Sequence, residues 1–340
     1  MTEMKAVGLY HYLPISDPES LIDVTLPKPK AEGHDLLVKV KAISVNPVDV
    51  KVRAPKDKTE QTPKILGWDV AGVVEEVGEA VTLFQPGDEV YYAGSINRQG
   101  CYSEYHLVEE SIVAKKPASL SFAEAAALPL TTITAWEALF DRLGVSKSKE
   151  DNKGKSILII NAAGGVGSIA TQLANYFGLT VIGTASRPET EAWAKQHGTH
   201  IVINHHEAFP PQLEKEGISA VDYILCLHST DKHWDNMAQA IAPQGHIASI
   251  VETEEPHDLG LLKSKSVSFA WEFMFTRALY QTEDRIEQHR LLDDVAKLVD
   301  QGIIKTTINK QLQGINAETL REAHQIVESN KMIGKLVVIE

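Results

Sequence analysis

In the segment NAAGGVGSIATQLANYFG, residues 161–178, three glycines fall within four positions, and apolar residues then follow at helical spacing, Ile169, Leu173 and Phe177. The preceding run KSILII, residues 155–160, is continuously apolar, as in a strand covered on both faces. Strand, glycine turn and helix together let a backbone approach a pyrophosphate and offer it the free N–H groups of a helix start. Against the pattern G-x-G-x-x-G the three positions are Ala162, Gly164 and Gly167, with Gly165 and Val166 inside the same cradle. A tight packing turn would show the same glycines, so the neighbourhood must decide. Roughly 20 residues further on, where a cofactor lacking the 2′-phosphate would meet an acidic side chain, TVIGTASRPE ends in Ser186 and Arg187. A hydroxyl and a guanidinium can donate to a 2′-phosphate, which points to NADPH rather than NADH. Glu189 and Glu191 are near enough in sequence to compete for Arg187.

The surrounding elements support a two-part chain. From residue 155 to about residue 269, strand patterns (KSILII, TVIGTA, HIVI, VDYILCL, GHIASI) alternate with helical ones, which argues for a parallel sheet with helices on both faces. The first third is instead β-rich, with LLVKVKAISV, DVAGVVEEVG and DEVYYA punctuated by PGD. Ser121 followed by Glu124 has the spacing of a capping box, and TAWEALFDRLG reads as a helix closed by Gly144. A length of 340 residues suits about two domains. The net charge of −13 argues against a general nucleic-acid binder. No apolar run reaches the roughly 18 residues of a membrane span, and the start shows no secretory pattern, so the expectation is a cytoplasmic protein. Cys101 and Cys226 have no C-x-x-C spacing, and no G-x-S-x-G elbow supports a hydrolase.

The ordered series VNPVDVKVR, GWDVAGVVEEVG, PGDEVYY, AAALPLTTITAWEAL and AAGGVGSIATQLA closely resembles the medium-chain dehydrogenase/reductase superfamily, in its quinone-oxidoreductase branch and zinc-type alcohol-dehydrogenase-like relatives. The resemblance covers essentially the whole chain. It implies an α/β protein with an N-terminal GroES-like β domain over residues 1–127, completed by residues 276–340, and a Rossmann doubly wound parallel sheet over residues 128–275. It also places the active site in a cleft between the two. Zinc-dependent members would carry a cysteine near Asn46 and GHE where this chain has Gly67, Trp68 and Asp69, and a four-cysteine loop where only Cys101 remains. An amide and an indole are poor substitutes for thiolate and imidazole, so the expectation is a metal-free site.

Without metal, the resemblance implies hydride transfer from NADPH to a quinone or an α,β-unsaturated carbonyl compound. Asn46 and Thr134 would lie beside the nicotinamide and the reacting carbon; the alternatives are a turn residue before Pro47 and a cap for TAWEAL. His205 matches a further side chain for the 2′-phosphate, and Lys51, Trp68, Met274 and Phe275 would line the substrate pocket, with Phe275 also near the cofactor. Lys51 and Arg53 stand where tyrosines are usual in the quinone branch, which leaves the proton donor open. In FAWEFMF, residues 269–275, the strand would pair with its mate in a homodimer and its end near Phe275 would face the cleft. His205 and His206 should point apart if extended, and His11, His34, His106 and His257 have no evident partners. The alternatives are a zinc-type alcohol dehydrogenase and, in another class, an NADPH-binding crystallin-like or RNA-binding protein with little turnover.

Overall fold

The computed structural model describes residues 2–340. The chain divides into two compact units, one formed by the segments up to Leu130, Phe275–Gly302 and Thr306–Glu340, the other by Thr131–Met274 and Ile303–Lys305.

The first unit is a β domain. Its larger sheet runs Ile308–Gln313, Lys335–Ile339, Asp35–Val45, Asp69–Val77, Glu89–Ala93 and Val113–Lys115, with Tyr105–Glu109 also paired to Asp35–Val45. The long strand Asp35–Val45 is the axis of this sheet, and its DLLVKVKAISV pattern leaves only Asp35, Lys39 and Lys41 partly exposed. Two neighbours bring their first residues to its far end: Asp69 lies opposite Ser44, and Leu336 lies opposite Val45. Asp69, Asn46 and Lys335 therefore meet at one end of three adjacent strands. The helix Ala317–Glu328 begins on Asn316, whose side chain accepts the Thr319 N–H at 3.0 Å. It buries Ala317, Leu320, Ala323, His324 and Val327, an i, i+3, i+4 stripe that carries a histidine in an apolar row.

The second unit is a six-stranded, all-parallel sheet in the order Ile201–Ile203, Thr180–Thr184, Ser156–Ile160, Val221–Cys226, Ile241–Ser249, Ser268–Trp271. Numbered along the chain the order is 3-2-1-4-5-6, the doubly wound arrangement of a Rossmann fold. The first strand, SILII, is buried at all five positions. The capping box at Ser121 and Glu124 forms in the first unit, where the Glu124 carboxylate accepts the Ser121 N–H at 2.9 Å, but its helix stops at Ala126. Of TAWEALFDRLG, Thr134–Trp136 end a separate helix, Pro129–Trp136, and Glu137–Arg142 form a π-helical turn.

The turn after SILII shows why its glycines differ. Asn161 adopts a positive φ of 70°, and the helix Gly165–Tyr176 follows with Gly164 as N-cap. A Cβ on Gly167 would overlap the backbone of Asn161 and Ala162, whereas one on Gly164 would meet the movable end of Asn161, Nδ2, at 2.8 Å. Gly167 is thus required for helix-on-strand packing itself. Gly167→Ala is expected to lower stability by about 1–3 kcal/mol, and Gly164→Ala by clearly less; denaturant unfolding compares them. Equal losses would contradict the assignment.

Candidate active site

The end of the β-domain sheet holds a buried polar cluster. Asp69, wholly buried, accepts the Leu130 N–H at 2.7 Å on Oδ1. Its Oδ2 accepts Asn46 Nδ2 at 2.9 Å and the Lys335 ammonium at 3.2 Å. Asn46 caps the short helix Pro47–Arg53 and is itself fully committed: Nδ2 also reaches Ser44 O at 3.3 Å, and Oδ1 accepts from Lys335 Nζ. Asp49 accepts the Asn46 N–H at 2.6 Å, while its Oδ1 has no hydrogen-bond partner within bonding geometry. Burial pushes the Asp49 carboxyl up to about 7 against the opposing pull of the Asn46 N–H and Lys335, and burial also raises Asp69. Trp68 fills the wall of this cluster, donating Nε1–H to Ser95 O at 3.1 Å and meeting Phe275 edge-on at 5.8 Å.

In the second unit, the glycine turn and helix Gly165–Tyr176 carry Ala162, Gly164, Gly165, Val166 and Gly167 at the carboxyl end of the first parallel strand. Ser186 and Arg187 follow the second strand, and His205 follows the third. His205 is pulled down to about 4 by burial and then by the charges of His206, Lys232, His228 and Arg187. The cations among these neighbours are Lys232 and Arg187, in an otherwise acidic chain. Arg187 Nε lies 3.3 Å from Glu189, one of the competitors expected from sequence, but both side chains are substantially exposed, so this pair is weak. Residues 205–206 form a turn rather than an extended segment, and the two imidazoles, expected to point apart, meet at 4.3 Å between ring centres. Thr134 is buried inside the helix Pro129–Trp136 and so is not a cap.

Two family models match this chain: the alcohol dehydrogenase GroES-like domain over residues 32–118 and the zinc-binding dehydrogenase over residues 197–338. A zinc-type alcohol dehydrogenase-like protein of Staphylococcus epidermidis is 48% identical over 336 residues, covering 98% of this chain and 99% of that one. The chain belongs to the medium-chain dehydrogenase/reductase superfamily. Human quinone oxidoreductase is 28% identical over 343 residues, covering 99% and 98% of the two chains. A crystal structure from Rhizobium etli CFN 42, provisionally named a zinc-dependent alcohol dehydrogenase, superposes with a TM-score of 0.94 at 49% identity, covering 100% and 99%. This medium-chain protein is accordingly an oxidoreductase related to NAD(P)-binding dehydrogenases.

The donor set of this superfamily member does not suit the zinc that some relatives' names imply. The positions carry an amide, an indole that donates rather than ligates, and a carboxylate already bound to an ammonium. Cys101 is nearby, but burial raises its thiol well above the usual range and its Sγ–H points at Asp69 O, 3.6 Å away. Among the described residues no group of three or more His, Cys, Asp or Glu is arranged to hold a metal. The histidines without evident partners in sequence all have one in the fold: His11 with Thr59, His34 with Glu110, His106 with Tyr92 and Gln99 O, and His257 with Asp231.

Sequence reasoning missed a network running away from Asp49. Arg53, which is 1% exposed, donates Nε–H to His324 Nδ1 at 3.3 Å and also binds Leu13 O and Glu328. Because a guanidinium can only donate, His324 must carry its proton on Nε2, which reaches Tyr102 Oη at 3.0 Å. The tyrosine oxygen is therefore the acceptor of that proton, and the neighbouring hydroxyl favours the Asp49 carboxylate against its burial. The position of His324 in the apolar stripe of its helix was the only local signal. Lys51, expected in the substrate pocket, is exposed on the helix Pro47–Arg53. Trp271 and Phe273 are about half exposed, whereas Met274 and Phe275 are buried.

Burial and the adjacent Arg53 pull His324 down to about 3. Between its ordinary 6.5 and about 3 the unfolded chain therefore binds a proton that the folded chain refuses, and this contribution to stability falls as pH falls. Asp49 runs the other way, because its folded pKa is raised. In acid denaturation profiles between pH 6.5 and 4, His324→Gln, which keeps an acceptor for Arg53 and a donor for Tyr102, is expected to lose less stability than the parent, by up to about 3 kcal/mol. Parallel profiles would show that His324 does not resist protonation in the fold.

Proposed function

We propose that the protein is an NADPH-dependent, zinc-free reductase of quinones or α,β-unsaturated carbonyl compounds. The observation that carries this reading is that Asn46 and Trp68 stand in the β-domain cluster where soft metal ligands would be, while Asp69 is held by the Lys335 ammonium, a donor set unsuited to a Lewis acid that would polarise a simple carbonyl. Substrates suited to such a site are conjugated, since their own π-system spreads the negative charge. The cofactor, when bound, supplies the hydride. The chain's part is to bind and orient: Ala162 and Gly164–Gly167 present the start of a 12-residue helix to the pyrophosphate, and Ser186, Arg187 and His205 meet the 2′-phosphate. Asn46 and Thr134 are assigned to the nicotinamide and the reacting carbon, and Trp68, Met274 and Phe275 to the apolar lining. The edge strand Ser268–Trp271, with Trp271 and Phe273 exposed, suits pairing with a second copy in a homodimer.

The reading is tested by NADPH consumption with a naphthoquinone, an enone and an enal, and by reduction of the oxidised cofactor with a simple alcohol, each with and without chelator. Turnover of the conjugated acceptors unaffected by chelator, with far less than one zinc per chain, is expected. Alcohol oxidation abolished by chelation would favour the zinc-type alternative, and absence of turnover a binding protein.

Cofactor choice has its own measurement. A charge-assisted contact to phosphate is worth more than the exposed Arg187–Glu189 pair it must displace. Arg187→Ala is expected to weaken NADPH binding by about 2 kcal/mol and NADH scarcely at all. Titration of both cofactors into parent and variant decides it, and an equal loss for both would remove Arg187 from the phosphate site.

A further inference from the structure

The tripeptide Ala-Trp-Glu occurs twice in the chain, and both of its glutamates, Glu137 and Glu272, are buried in the second unit, at 0% and 3% exposure. Glu137 opens the π-helical turn Glu137–Arg142. Glu272 follows the last parallel strand, Ser268–Trp271, and continues its pairing by donating its N–H to Ser249 O at 2.9 Å. Arg142, at the end of the π-helical turn, donates Nε–H to Glu272 Oε2 at 2.8 Å. The other oxygen, Glu272 Oε1, is buried and no N–H or hydroxyl of the chain reaches it, while the Glu137 carboxyl lies within hydrogen-bonding distance of Glu272. Two ionised carboxylates cannot bond to each other, and out of water they would share one guanidinium between two negative charges. A proton held between them supplies the missing donor and leaves the three groups neutral together. Burial first, and then the Glu137 charge, push Glu272 up to about 8 against the pull of Arg142.

We propose that Glu137 and Glu272 share a single proton, and that this proton fastens the end of the last parallel strand to the π-helical turn, a pH-sensitive brace within the second unit. The bond spaces two elements to which site residues are assigned: Thr134 stands on the helix that the turn continues, and Met274 two residues beyond Glu272. Loss of the proton sets like charges against each other and releases the strand end. The sign of the effect follows from proton binding. A glutamate of the unfolded chain gives up its proton near 4.5, whereas the folded pair keeps one to about 8. Folding therefore takes up a proton between these limits, and stability falls as pH rises through them and levels off above.

Glu137→Gln puts a permanent NH2 donor where the shared proton sits and leaves Glu272 its charge and its bond to Arg142. Thermal midpoints of parent and variant are compared from about pH 5 to about pH 9.5, and amide exchange of residues 268–274, corrected for its intrinsic pH dependence, at the two ends of that range. Other titrating groups, His324 and Asp49 among them, are common to both proteins and cancel in the difference. The parent midpoint is expected to fall relative to that of Glu137→Gln by about 5 °C or more as pH rises to about 8, and to run parallel beyond. Exchange in the segment should quicken roughly tenfold in alkali in the parent and stay unchanged in the variant. Midpoint curves parallel throughout, or an equal change of exchange in both proteins, would overturn the proposal. If Glu137→Gln does not fold, Glu272→Gln carries the same comparison, with its carbonyl accepting from Arg142 and its NH2 donating to Glu137. Neither measurement uses substrate or cofactor, so the outcome is separable from the quinone and enone reading.

Discussion

A carboxylate withdrawn from water is the constraint on which the β-domain site turns. Asp69 is wholly buried, and it is tolerable there only because each oxygen is satisfied by a donor from a distant part of the chain. Its partners stand 23, 61 and 266 residues away, at Asn46, Leu130 and Lys335. These bonds fasten a helix start, a helix-entry backbone amide and the last strand to one end of the sheet. Trp68 closes the cluster with an indole whose only polar atom is spent on Ser95 O.

Asp69 takes its positive partner from the final strand, whose Lys335 ammonium lies 3.2 Å from Oδ2. Nearby, Arg53, His324 and Tyr102 form a directed chain in which Arg53, able only to donate, fixes the tautomer of His324 and makes the tyrosine oxygen its acceptor. The second unit solves a separate problem. In a chain of net charge −13 it gathers the cations Arg187 and Lys232 around His205, which follows the third parallel strand.

Much of this was legible as sequence. Buried strands such as SILII and VDYILC announce themselves by apolar runs broken at no more than one position, the glycine turn by its spacing after a strand, and the Ser121–Glu124 box by a three-residue interval, because each depends on neighbours a few residues apart. That Asn46 and Trp68 stand where zinc-type relatives would carry soft ligands came from the resemblance, whereas Ser186 and Arg187 were found by their distance past the glycines. What only the tertiary structure decided were the partners of buried polar groups. Nothing near Lys335 in sequence points to Asp69, and nothing near Arg53 points to His324, 271 residues on. Local regularities follow from the repeat of a helix or strand, whereas the counterion of a buried charge is chosen by sheet register and helix docking, which bring together residues that no short stretch of the chain contains.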